Sequence, residues 1–189
     1  MNDPFKYKLD NASIFAFVIA VIAMCIISKI FFGSSLDFSA LDCILVFEAI
    51  VVIVATLFGA SAGLLTGFLG VISSMDLCGT TISFSAAIAM ALLGVYVGWF
   101  ANRYGVREGK LSIKEMLFWI VIHASALIAA FVFVQPFIDY VVYDKDLFDG
   151  VRRGFIVTGI GTFASGLIIV SFLFLYSKIH IFLDTKKSQ

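Results

Sequence analysis

Leu57-Phe58-Gly59-Ala60-Ser61-Ala62-Gly63-Leu64-Leu65-Thr66-Gly67-Phe68-Leu69-Gly70 is the stretch on which the fold turns. Gly59, Gly63 and Gly67 fall four residues apart, which on a helix puts them on one face where a second helix can approach closely. The stretch lies within a 54-residue run, Ala49 to Asn102, whose one charge is Asp76. Water does not tolerate such a run, and a bilayer does. Across all 189 residues the chain is 61% hydrophobic with a mean hydropathy of +1.07. Its charged fraction is 14%, against roughly 25% in soluble domains. A hydrocarbon core of about 30 Å takes about 20 helical residues per crossing, so the chain holds about five to seven crossings. That leaves no room beside them for a soluble catalytic or nucleotide-binding domain.

In both directions from the glycines, the apolar runs divide into six spans near 11–32, 40–58, 60–76, 82–102, 116–137 and 153–177. The second and third are separated because Cys43 to Met75 as one helix measures about 50 Å, too long for one crossing. Gly59-Ala60-Ser61 supplies a tight turn between them. The runs are continuously apolar and do not alternate, which excludes the strands of a membrane barrel. The expected fold is an all-α integral membrane protein, one domain over 1–189, with six transmembrane helices. The first apolar run, Ala12 to Ile27, is too long for a signal-peptide core and is read as a retained helix.

With the N-terminus inside, nine basic residues (Lys6, Lys8, Arg103, Arg107, Lys110, Lys114, Lys178, Lys186, Lys187) fall on the cytoplasmic side. Four (Lys29, Lys145, Arg152, Arg153) fall outside, in keeping with the positive-inside rule, so both termini are expected inside. The formal net charge of zero gives no sign of a nucleic-acid partner. Gly105-Val106-Arg107-Glu108-Gly109-Lys110 is not a phosphate loop: it has three residues between its glycines where four are needed, and Leu111 follows the lysine. Cys25, Cys43 and Cys78 lack metal-ligand spacing, and no metal or cofactor is expected.

The polar residues within the apolar runs are the candidates for function. Glu48 lies inside the second span, where a carboxylate is costly and faces a cavity or a partner; it is either a ligand or proton contact or a residue of the outer interface paired with Lys29. His123 lies alone in the fifth span, with no second ligand at helical spacing for zinc, and is either a ligand contact or a satisfied core residue. Ser85, after Phe84, and the group Gln135, Asp139 and Tyr143 both gather on the expected outer side, where polar and aromatic groups together suit a small-molecule pocket. Phe38 and Phe84 are placed to stack on a flat ligand. Ala12, Ala16 and Ala20 make a smooth stripe on the first helix, and Gly94 and Gly98 another on the fourth. Each stripe serves contact with a helix of this chain or of a second protein. An intramembrane enzyme needs a nucleophile with a base, and Glu48 with His123 does not make one.

Together these segments resemble a known group. Leu57 to Gly70, Gly94-Val95-Tyr96-Val97-Gly98, Gln135 through Tyr143, and Leu175-Tyr176-Ser177-Lys178 are similar to segments of the S components of energy-coupling factor (ECF) transporters. The nearest group is the riboflavin and hydroxymethylpyrimidine S-component family. The likeness spans about 45 to 178. It implies an S-component-like six-helix bundle in a bacterial cytoplasmic membrane that captures a vitamin-sized ligand from outside and performs no chemistry. It also implies a T subunit docking on the helix-1 stripe, matched here by Ala12, Ala16 and Ala20, and two ATPases supplying energy. The family's tryptophans near the start of helix 4 are replaced by Ser83-Phe84-Ser85. Its asparagines in helices 5 and 6 have no evident counterpart, and helix 6 carries Thr158-Gly159-Ile160-Gly161-Thr162 instead. The expected ligand is therefore a small heteroaromatic: hydroxymethylpyrimidine or a thiamine-related compound, then pyridoxine or riboflavin. The expected contacts are Phe38, Glu48, Phe84, Ser85, His123, Gln135, Asp139 and Tyr143. The alternative is a self-sufficient secondary transporter or channel with Glu48 and His123 as its coupling site.

Overall fold

The computed structural model describes residues 11–33, 40–77, 83–103 and 113–187, and among these there is no strand. The helices are α1 (Asn11–Gly33), α2 (Ala40–Phe58), α3 (Ala60–Leu77), α4 (Phe84–Arg103) and α5 (Ile113–Leu127). A π-helical segment (Ile128–Val134), α6 (Gln135–Tyr143) and α7 (Leu147–Lys187) complete them. Because α5, the π segment and α6 run on without a break, the seven α-helices form six rods. Four rods are long and apolar enough to cross a membrane; the apolar stretches Val46–Phe58 and Ala60–Asp76 of α2 and α3 are shorter.

The glycine-rich stretch makes a close, extended seam between α3 and α4. A side chain on Gly67 would run into the Met90 carbonyl, and one on Gly94 into the backbone of Gly63. Gly98 lies against Ala60 in the same way. Without side chains, two helix backbones come into van der Waals contact, the packing that drives association in lipid. The partner of the Gly94 and Gly98 stripe is thus within this chain. Gly59 itself is the turn between α2 and α3, with φ +93°, a conformation that favours glycine.

Two boundaries differ from the sequence reading. The fifth rod starts at Ile113 and runs through Pro136 to Tyr143, where a stop near 137 was expected. Proline lacks an N–H and crowds the carbonyl four residues back. Here it stands in the first turn of α6, just after the ladder has widened to the π pattern, with the Gln135 N–H bonded to the Ala130 carbonyl. The rod ends at Asp144, whose φ of 52° is left-handed and closes the helix. The last rod starts at Leu147 and not near 153. Asp146 caps it, its carboxylate accepting the Asp149 N–H at 2.8 Å, which satisfies a backbone donor that the helix leaves open. Helix α7 has 41 residues. At about 1.5 Å per residue it is about 60 Å long, about twice the hydrocarbon thickness.

Candidate functional site

Two clusters of interacting polar side chains stand out among the described residues, stacked along α5–α6 and α7. The upper is a chamber of 610 Å³ at the end of the bundle where α4 begins and α6 meets α7. Ser83, Gln135, Asp139, Lys145 and Arg153 are among its walls, with Phe131, Gly154 and Val157 deeper. At the inner end of the chamber α7 closes on the π segment at Gly154, where a side chain would strike the Phe131 carbonyl. Asp139 organises the rim. Its Oδ1 accepts the Ser85 hydroxyl at 2.6 Å, tying α6 to α4, and its Oδ2 lies 3.4 Å from Lys145 Nζ. Lys145 Nζ also stands 5.2 Å from the centre of the Tyr143 ring. Asp149 is held by Arg152 at 2.8 Å and Arg153 at 2.5 Å. The walls therefore carry fixed charges of both signs and the half-buried Gln135 amide, which both donates and accepts.

The lower group is sealed. Glu48 on α2, His123 on α5 and Ser165 on α7 are 0%, 2% and 0% exposed. His123 Nε2 lies 2.9 Å from Glu48 Oε1 and 3.1 Å from Ser165 Oγ. Ser165 Oγ is 2.5 Å from Glu48 Oε1 and also reaches the Gly161 carbonyl. Glu48 Oε2 points at Gly161, where a Cβ would meet it at 2.7 Å. Only a glycine lets α7 close on the carboxylate. Leu127, which also faces Gly161, is one turn from the chamber residue Phe131, and Gly161 is one turn from Val157. The cluster thus lies about 5 Å beneath the chamber floor. It is not a hydrolytic triad: that arrangement needs the acid on Nδ1 and the serine on Nε2. Here both partners crowd Nε2, and His123 Nδ1 has none among the described residues.

The eight expected ligand contacts therefore separate. Gln135 and Asp139 line the chamber, and Ser85, fully buried, braces it. Tyr143 and Phe84 are 39% and 51% exposed at the same end, off the chamber wall. Glu48 and His123 form the sealed cluster below, and Glu48 pairs with His123 rather than with Lys29. Phe38 lies outside the described residues. The α1 stripe also divides: Ala12 is exposed, Ala16 half-buried, and Ala20 packed inward with Val54 and Ala62. Sequence reasoning missed Ser165, Lys145 and Arg153. The signal for Ser165 was the spacing Gly154, Thr158, Gly161, Ser165, which sets two glycines and two hydroxyls on one face of α7. Among the described residues no cluster of His, Cys, Asp and Glu fits a metal ion.

Among the described residues, a helical bundle with apolar rods long enough to cross a membrane, a polar chamber at one end and a sealed polar cluster beneath it defines a multi-pass membrane protein. The sequence profile described as "ECF-type riboflavin transporter, S component" matches residues 11–178. The chain belongs to that family. It is 28% identical over 92 residues to a UPF0397 protein of Lactobacillus helveticus, covering 48% of this chain and 49% of that one. It is 26% identical over 95 residues to one of Streptococcus thermophilus, covering 50% and 52%. A Staphylococcus aureus UPF0397 protein is 24% identical over 121 residues, covering 64% and 65%. The chain thus spans about half to two thirds of the length of these curated relatives. No solved structure matches it significantly.

Proposed function

We propose that the chain is the membrane-embedded substrate-binding subunit of an ECF-type uptake system in a bacterial cytoplasmic membrane, with both termini inside and the chamber opening outward. The ligand is a small heteroaromatic vitamin or precursor, hydroxymethylpyrimidine or a thiamine-related compound ahead of pyridoxine and riboflavin. The observation that carries this reading is the chamber of 610 Å³, lined by oriented polar groups at one end of a largely apolar bundle. Its size lies within the range of small-molecule sites. Gln135 and Asp139 contact the ligand. Phe84 and Tyr143 border the entrance. Ser85 fixes Asp139, and Glu48 with His123 holds α7 in place beneath the floor. A site that bonds the polar groups of its ligand rejects analogues lacking them.

Binding alone moves nothing uphill, since a ligand shifts an equilibrium only by its different affinity for two states. The chain carries no nucleotide motif, so the energy for import comes from a T subunit and two ATPases. The docking surface is the outer side of α1 at Ala12 and Ala16, with the inward-facing Ala20 setting the angle of the helix. Replacing Ala16 with Trp is expected to leave ligand binding within about twofold and to abolish ATP-dependent uptake in proteoliposomes containing the partner subunits. Lost binding in a correctly assembled Ala16→Trp variant contradicts the assignment. The Glu48–His123 pair, an ionisable couple inside the membrane, favours one second reading, a proton-coupled secondary transporter. Uptake driven by a proton gradient with no ATPase present would establish that reading instead.

A further inference from the structure

A second cavity, sharing no lining residue with the chamber, opens between α4 and the α5–π rod. It is an apolar crevice of 480 Å³, with Leu92, Tyr96 and Trp99 on one side and Ala126, Ala129 and Ala130 on the other. Three alanines within five positions leave that wall shallow. In the α3–α4 seam small residues are filled by the opposing backbone; here no part of the described chain fills the space. Leu92 and Ala129 are exposed, so the crevice opens sideways, toward the hydrocarbon of the bilayer.

One end of the crevice carries the marks of a headgroup level. Trp99 stacks edge-on against Phe100 at 4.8 Å, and Phe100 lies at 4.8 Å from Tyr96. Aromatic groups of this kind gather at membrane interfaces. Arg103 follows in the last turn of α4. The spacing Leu92, Tyr96, Trp99, Arg103 puts this guanidinium on the crevice face, one turn beyond Trp99. Arg103 is exposed and has no acidic partner among the described residues. From Trp99 to Leu92 the crevice then descends about 10 Å into the hydrocarbon.

We propose that this crevice is a binding site for an anionic glycerophospholipid, with one acyl chain lying along the alanine wall and the phosphate on Arg103. Charge complementarity selects the occupant: an apolar trough ending in a cation with no acidic partner among the described residues fits an acyl chain with an anionic head, as basic pockets between membrane helices do. The proposal requires the bundle to lie in a bilayer and is independent of the vitamin ligand.

Native mass spectrometry tests it on the full-length detergent-purified protein, titrated with phosphatidylglycerol and phosphatidylcholine of matched acyl chains. The wild type is expected to retain one phosphatidylglycerol with about fivefold preference, the effect of one basic side chain beside an anionic lipid. Arg103→Gln is expected to bring that preference to about one. Ala129→Phe, at an exposed position that fills the trough, is expected to reduce occupancy by both lipids at least tenfold. Equal retention of the two lipids by the wild type, or unchanged occupancy in Ala129→Phe, overturns the proposal. So does disulfide cross-linking of Ala129→Cys between two copies in membranes, which would make the crevice a dimer interface.

Discussion

At the scale of single residues, the Glu48–His123–Ser165 cluster explains why a membrane interior tolerates a carboxylate. Charged groups removed from water are held only by close, well-directed partners, and losing one partner costs more than losing the pair. His123→Leu leaves Glu48 Oε1 with Ser165 alone and is expected to cost about 3 kcal/mol. The double variant Glu48→Leu, His123→Leu removes both members and is expected to recover most of that loss. Thermal unfolding in detergent measures both, and a double variant less stable than His123→Leu excludes a tightly coupled pair. Glu48 and His123 were legible in the sequence because a polar residue in an apolar run stands out. Their pairing was not, since three helices meet there and Ser165 is 117 residues from Glu48. No local pattern encodes that contact.

At the scale of helices, the glycines separate into those that seat a neighbour and those that do not. Gly67 lies directly against the Met90 carbonyl of α4, whereas Gly159 has nothing within 4 Å. Gly67→Ala is therefore expected to cost about 1–3 kcal/mol by overpacking the α3–α4 seam. Gly159→Ala is expected to be neutral or to stabilise by up to about 1 kcal/mol through helix propensity. Equal effects in unfolding would show that the seam is looser than described. The four-residue glycine spacing and the Gly59 turn made this part of the fold readable, because both follow from backbone geometry. The path of the fifth rod did not follow, because Pro136 ordinarily marks an end and nothing in the sequence announces the π turn that accommodates it. The start of α7 hid in a charged segment, where Asp146 reads equally as loop or as cap.

At the scale of the whole molecule, the bundle gathers polar side chains at one end and in the sealed cluster beneath it. Seams of small residues hold α1 to α4 together, the sealed cluster fixes α7 to α2 and α5, and between the ends of α4, α6 and α7 the chamber stays open. The polar character of that end could be read from Ser85, Gln135 and Asp139. The contribution of Lys145 and Arg153 could not, because it depends on where the α6–α7 turn directs them. On the proposed function, the chamber holds the ligand. Mass spectrometry of the small molecule that co-purifies with the wild type identifies it, and its equilibrium affinity is then measured for Gln135→Ala and Asp139→Ala variants that remain folded. The expected result is one heteroaromatic compound and at least a tenfold loss of affinity in each variant, about 1.4 kcal/mol or more. Unchanged affinity in both folded variants would place the ligand elsewhere and contradict the role given to the chamber.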